Sequence, residues 1–301
     1  MRKRKYADGV PQHTYVKGIN GFFIFYDVMD NIFFITLYFC LSKKHGIRTT
    51  AFCIMPNHIH AQQWARAIAS FISFNRELLS FFARGYNRWH YRAGTLFDLF
   101  GSVPKLVGKT IRNNISYINN NGTVGGLSVD VLGYKWNLLS CYKTETRKDD
   151  ESSFSRAYKK ARKAVDFYNR HCMPLTYEVQ ERLYANLSPN EKNGLIEYIL
   201  LKYKVVDFEE MIRYYGSFDE AVLAMNANCG SEPEIQEDYE DYSIYREMIR
   251  IVKSKGIETT HLNFETMDSG ILAELAAELS KIPGVKPKQI RKFLHLKKTD
   301  K

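Results

Sequence analysis

The 301-residue sequence has no C-x-x-C pair and no even cysteine framework; Cys40, Cys53, Cys141, Cys172 and Cys229 are scattered along it. That excludes a disulfide-stapled scaffold and a cysteine-based zinc module. Three of the five lie in apolar runs and are expected as reduced core residues of a cytosolic protein. There is no internal repeat and no low-complexity tract. There is also no uninterrupted apolar run of about 20 residues, the length needed to span a bilayer. Gly21 to Leu41 comes nearest, but Asp27, Asp30 and Asn31 break it near its middle. The start, Met1-Arg2-Lys3-Arg4-Lys5, is basic with no apolar signal region directly after it, so neither a leader nor a membrane partner is expected. Acidic residues are the scarcer charge, 33 against 43 basic, and the net charge of +10 favours a polyanionic partner. No second carboxylate cluster supports a metal hydrolase built on oxygen ligands.

What is present centres on Met55-Pro56-Asn57-His58-Ile59-His60. The apolar run Phe52-Cys53-Ile54-Met55 is strand-like, and Pro56-Asn57 marks a turn. In a strand successive side chains alternate faces, so His58 and His60 share one face while Ile59 points to the core. Two imidazoles side by side can hold one divalent metal ion; the plainer alternative is two ordinary strand histidines. A second feature is the segment from Lys109 to Asn121, read as a helix with Val107, Ile111, Ile115 and Ile118 at helical spacing and Gly122 as its stop. Tyr117 and Asn121, four apart, project from one face. A tyrosine hydroxyl can be a nucleophile, and an asparagine oxygen can reach a metal. Against this, the chain has 20 tyrosines, most of them packing or surface residues, and three consecutive asparagines also suit a fraying helix end.

In these motifs the chain resembles the single-tyrosine HUH transposases, most closely the REP-associated tyrosine transposases. The family's P-N-H-hydrophobic-H strand matches Pro56 to His60. Its aromatic, basic stretch ending in G-T-L-F matches Tyr86-Asn87-Arg88 through Gly94-Thr95-Leu96-Phe97. Its nucleophile helix, Y-I-x-x-N, matches Tyr117, Ile118 and Asn121. A trailing Y-x-W-S-S-Y is loosely echoed from Tyr134 to Tyr142. The motifs occur in the family's order over roughly the first half of the chain. Two departures stand out: Asn121 is followed by Gly122-Thr123-Val124 instead of the family's P-V-R, and Asp98-Leu99-Phe100 lacks the family's arginine. The resemblance implies a ferredoxin-like antiparallel sheet with helices, Tyr117 as nucleophile, and Mg²⁺ or Mn²⁺ held by His58 and His60 with Asn121 as a third ligand. It further implies a hairpin substrate joined to tyrosine through its 5′ end.

The coarse reading of the first half is β-α-β-β-α-β-α. Strands are expected over 14–26, 48–55 and 58–64, helices over 27–41 and 65–84, and an extended segment over 95–105. Arg84 through Arg92 then mixes cations with rings; Arg84, Arg88 and Arg92 suit phosphates, and Tyr86 and Trp89 suit stacking on unpaired bases. The alternative is a solvated loop with a few packed rings. Residues 1–143 are read as the transposase-type domain, and 144–301 as a mostly helical region behind a charged linker over 143–153. In that region Ser188-Pro189-Asn190-Glu191 reads as a helix start, and an acidic loop is expected over 229–241. A helix over 269–281, a turn at Pro283-Gly284 and a basic helix from Pro287 make a helix-turn-helix candidate spanning 269–295, or a plain helical hairpin. Lys286, Lys288, Gln289, Arg291 and Lys292 would face DNA.

The α+β reading therefore leads to a metal-dependent single-strand DNA endonuclease and strand transferase, cytoplasmic and nucleoid-associated, as a monomer or homodimer. The alternative is a domesticated transposase that binds hairpin or duplex DNA without cutting it.

Overall fold

The computed structural model describes residues 5–144, 154–227, 243–257, 267–294 and 296. Strands β1 (Gln12–Lys17), β2 (Arg48–Met55), β3 (His58–Trp64) and β4 (Gly101–Pro104) form one sheet in the order β2-β3-β1-β4, each neighbouring pair antiparallel. Helix α1 (Val28–His45) joins β1 to β2, and α2 (Ile68–Trp89) joins β3 to β4. This is the ferredoxin-like arrangement expected from the sequence. Strands β2 and β3 have the expected bounds. The first strand is shorter: it stops at Lys17, a 3-10 turn follows at Ile19–Gly21, and Phe22 to Tyr26 run outside the sheet.

Alternation along the strands gives the sheet two different faces. Thr14 and Val16 of β1 and Ile59, Ala61 and Gln63 of β3 meet Phe34 and Tyr38 of α1 and Asn75 and Leu78 of α2. Helix α1 begins at an Asp27 cap whose partner is Asp30 and stops at Gly46, which takes the left-handed conformation (φ 64°) that a residue without a Cβ adopts cheaply. Every residue from Asp30 to Leu41 is buried. An amphipathic stripe is missing because α1 is covered on its other side too: Phe33 packs on Tyr177 (ring centroids 5.2 Å), Phe39 packs on Tyr203 (5.2 Å), and the Leu175 amide donates to Thr36 Oγ1 (3.0 Å).

Helix α2 runs five residues beyond the Arg84 end read from sequence, through Gly85 to Trp89. Gly85 is no breaker here, because a Cβ at that position would sit 2.6 Å from the Phe33 ring; the glycine lets α1 and α2 approach. Helix α3 (Gly108–Val124) covers the opposite face of the sheet, against β2 and β3. Gly122 lies inside it rather than stopping it, with the Tyr134 ring packed where its side chain would be. Val107 is the exposed N-cap and not part of the buried stripe.

The remaining helices are α4 (Ser140–Thr144), α5 (Arg156–Arg170), α6 (Tyr177–Tyr184), α7 (Pro189–Lys202), α8 (Phe208–Arg213), α9 (Phe218–Asn226), α10 (Ser243–Ser254), α11 (Ser269–Leu279) and α12 (Pro287–Phe293). Ser188 caps α7 as expected, with Pro189 in the first turn and Glu191 returning the capping bond. Helix α6 was not anticipated. The linker from 145 onward and the acidic segment over 229–241 lie outside the described residues. The helical region packs directly on the sheet half: the Asp207 amide donates to the Thr49 carbonyl (2.8 Å), and Tyr215 Oη donates to the Arg112 carbonyl (2.7 Å). Among the described residues no helix is long and apolar enough to cross a membrane.

Candidate active site

The face of the sheet under α3 gathers most of the candidate catalytic residues. Cross-strand register sets Tyr15 against His60, Lys17 against His58 and His13 against Gln62, so alternation brings all six to one side. The His58 and His60 rings stand 4.8 Å apart and nearly perpendicular. Both are buried, His60 completely. Helix α3 lays Tyr117 against this pair: its ring centroid is 5.8 Å from His60 and 5.8 Å from His13. The Tyr134 hydroxyl, donating to the Ile54 carbonyl (2.6 Å), and Asn137, donating to the carbonyls of Asn119 (3.1 Å) and Val131 (2.6 Å), lock the end of α3 onto β2. The trailing motif read from sequence is thus the latch that holds Tyr117 over the sheet.

Each histidine is held from behind. Nδ1 of His58 lies 2.6 Å from Asn57 Oδ1. Nδ1 of His60 lies 3.0 Å from Nε2 of His13, whose Nδ1 is 2.9 Å from Asn114 Nδ2. Gln62 Nε2 donates to Asn114 Oδ1 (2.8 Å) and to the Ile111 carbonyl (3.1 Å), and Thr50 Oγ1 donates to Gln62 Oε1 (2.6 Å). His13, Gln62 and Asn114 were missed from sequence. The alternation of Gln12-His13-Thr14-Tyr15 was the available signal, but only the register with β3 brings His13 to His60.

The donors present suit a divalent ion in type. With both Nδ1 atoms engaged by neighbours, Nε2 is the nitrogen of each ring that would ligate; at His58, where Nδ1 faces the Asn57 side-chain carbonyl oxygen, this is the usual outer-ligand arrangement of metal-binding histidines. Asn121 spends its amide nitrogen on the carbonyls of Tyr117 (2.9 Å) and Ile118 (3.3 Å), leaving Oδ1 as its donor atom. Two imidazoles and an amide oxygen fit Mn²⁺ better than the oxygen-preferring Mg²⁺. Among the described residues no group of three or more His, Cys, Asp or Glu side chains forms a complete cage, so substrate and water oxygens would have to fill the shell.

The expected DNA-contacting residues separate. Arg84 and Arg88 are exposed on α2, Arg84 with its guanidinium over the Phe81 ring (4.5 Å). Tyr86 is fully buried, its ring 4.2 Å from His90, and is a core residue rather than a stacking platform. Trp89 stacks on Tyr177 at 5.1 Å and 5°, which occupies one of its faces. Arg92 is no free cation; it donates to Asn87 Oδ1 (3.0 Å), the Gly94 carbonyl (3.2 Å) and the Thr95 carbonyl (2.8 Å), closing the loop after α2. In α12, Lys286 and Lys288 are exposed and Arg291 is half-buried, while the Lys292 side chain lies outside the described residues. Gln289 is buried and accepts from the Lys286 amide (2.8 Å), so it caps the helix instead of reading DNA. Lys109 and Arg112 of α3, missed from sequence, are exposed beside a cleft shared with Arg213 and Tyr214.

No family model and no curated relative matches the chain. The fold is similar to that of a solved REP-associated tyrosine transposase bound to a REP hairpin. The two share 16% identity at a TM-score of 0.41, and the match covers 52% of this chain and 94% of that one. At that level of likeness the fold class rests on the sheet order, and nothing about activity follows from the neighbour.

Proposed function

We propose that the chain is a single-strand DNA endonuclease and strand transferase that works through a covalent phosphotyrosine. The observation that supports this best is the meeting of Tyr117 with the His58–His60 face, from an element remote in sequence, at 5.8 Å between the Tyr117 and His60 rings. In this reading Tyr117 Oη attacks phosphorus, the bond to the 3′ oxygen breaks, and the 5′ phosphate stays on the tyrosine. The phenolic proton leaves and the departing oxygen becomes a 3′-hydroxyl. A later 3′-hydroxyl reverses the attack, so no water is consumed. A divalent ion held by His58, His60 and Asn121 would supply charge stabilisation at the phosphate oxygens. Asn57 and His13 orient the two imidazoles, and Lys17, Arg84, Arg88, Lys109 and Arg112 offer cations to phosphates. Hairpin DNA is the proposed substrate, with residues 1–143 carrying the chemistry and 144–301 adding contacts.

The test compares wild type with Tyr117→Phe on labelled hairpins drawn from the gene's own flanks, with Mn²⁺, on a denaturing gel. A protein–DNA adduct is expected from wild type and not from the variant. An adduct that persists in the variant would move the nucleophile elsewhere.

A second reading, a hairpin-binding protein that no longer cuts, is favoured by the burial of Tyr117 (5% exposed) and by Asp98 where the resemblance calls for a nearby arginine. Hairpin binding by wild type with no adduct would select it.

A further inference from the structure

The hydrogen-bond chain behind His60 has a direction. The Ile111 carbonyl only accepts, so the Gln62 atom 3.1 Å away is the amide nitrogen. That nitrogen also donates to Asn114 Oδ1, which leaves the Asn114 NH₂ facing His13 Nδ1 at 2.9 Å. An amide nitrogen only donates, so His13 accepts at Nδ1 and, as a neutral ring, carries its hydrogen on Nε2. That hydrogen meets His60 Nδ1 at 3.0 Å. His60 therefore accepts at Nδ1 and carries its own hydrogen on Nε2, the atom needed for a metal. His58 is the reverse: Asn57 Nδ2 is the end nearer the Gly21 carbonyl (3.5 Å), so Asn57 Oδ1 accepts from His58 Nδ1 and the lone pair lies on Nε2.

We propose that Asn114 and His13 are positioning residues that hold His60 in the tautomer opposite to that of His58. The resting site then presents one lone pair, on His58 Nε2, and one N–H, on His60 Nε2; only the N–H can donate to a phosphodiester's oxygens, and the two rings become a two-nitrogen metal site only when the chain reverses. Reversal loses no proton. The His60 hydrogen moves from Nε2 to Nδ1, the His13 hydrogen moves likewise, and the Asn114 amide turns its oxygen to His13. Gln62 cannot follow, because the Ile111 carbonyl accepts only and fixes its amide nitrogen there, so Gln62 Nε2 then faces another NH₂. Asn114 thus weakens metal binding by opposing the ligating tautomer. The metal part of this inference rests on the reading given under Proposed function; the tautomer part does not.

The decisive measurement uses the full metal-free chain with ¹⁵N-labelled histidine at pH about 8, where an ordinary imidazole is neutral. Long-range ¹H–¹⁵N correlations report the protonated nitrogen of each ring, with signals assigned by single substitutions among the eight histidines. Opposite tautomers at His58 and His60 are expected; hydrogen on Nδ1 of both rings would overturn the proposal. Asn114→Asp offers oxygens to both Gln62 and His13. It should move the His60 hydrogen to Nδ1 and tighten Mn²⁺ binding about tenfold, the low end of what outer partners of metal ligands contribute. Added negative charge alone is separated by repeating the change in His13→Phe, which keeps a ring but has no polar atom to relay to His60, so the gain should vanish; a gain intact there also overturns the proposal. If Asn114→Asp does not fold, the wild-type spectrum still decides. Absence of Mn²⁺ binding by wild type would overturn the metal reading, while the tautomer result stands or falls separately.

Discussion

Single residues show both what local pattern specifies and what it leaves open. The shared face of His58 and His60 follows from a period of two, and the shared face of Tyr117 and Asn121 from a spacing of four; both were legible because they need only one element each. His13 and Asn114 were not, since their roles depend on the β1–β3 register and on where α3 docks. Tyr86 misled for a related reason: a ring beside arginines suits stacking on bases, but the phase of α2 turns it inward. Replacing Tyr86 with Ala should therefore cost about 3 kcal/mol or more in urea melts, as for other buried rings, with hairpin affinity falling only through lost fold. His58→Ala together with His60→Ala should abolish Mn²⁺ binding in calorimetry while leaving circular dichroism unchanged; undiminished binding would place the metal elsewhere. Gly122→Ala would drive a methyl into the Tyr134 ring. The expected loss is about 1–3 kcal/mol of stability, with a drop in adduct yield beyond what unfolding explains, because the same contact holds α3 over the sheet.

At the scale of elements, the long periodic ones were the easiest to read. Strands β2 and β3 and the capped start of α7 were found residue for residue because a turn or a cap punctuates them. Glycines were the main source of error. Gly122 was read as a stop and the second helix was ended just before Gly85, yet each glycine sits inside a helix at a close approach, to Tyr134 and to Phe33, which only the tertiary structure reveals. Helices α11 and α12 keep the expected helix, turn and basic helix, but the inward residues of α12 have a packing role. Phe293 is fully buried, 6.2 Å from the Phe23 ring, and its carbonyl accepts from Tyr26 Oη (3.3 Å). Deleting this segment would disturb the entry to α1, so point changes are the cleaner probe of DNA contact. If Lys288 and Arg291 touch phosphates, replacing both with Ala should lower the slope of log affinity against log salt by about two, roughly one per contact. An unchanged slope across several salt concentrations would assign α12 to structure alone.

In the whole molecule, the two halves read from sequence share a buried polar knot. Asp30 of α1 is fully buried, and its Oδ1 lies 2.8 Å from His90 Nε2 at the end of α2 and 2.8 Å from Tyr177 Oη of α6, which donates to it. Burial pushes the Tyr177 hydroxyl well above its ordinary range, and the Asp30 carboxylate pushes it further, so it remains a protonated donor at any physiological pH. Gln180 Nε2 adds a bond to the Met29 carbonyl (3.0 Å). The helical region thus supplies the second cover for α1, which explains how that helix is buried at every residue from Asp30 to Leu41. Tyr177→Phe keeps the ring on Trp89 and Phe33 and removes one donor to a buried carboxylate. It should cost about 2 kcal/mol, within the range for hydrogen bonds to charged groups. Removing everything after Thr144 takes away the donor, the ring and the rest of the cover at once, leaving the faces of Phe33 and Phe39 that pack on Tyr177 and Tyr203 open to water. The fragment 1–144 should then bind a hydrophobic dye and aggregate, or melt without a cooperative transition. Adding residues 154–227 as a separate chain should restore a cooperative melt if packing against α1 is the cause. A fragment that melts cooperatively alone, at the full chain's temperature, would show instead that the sheet half is sufficient and that the knot joins two independently stable bodies.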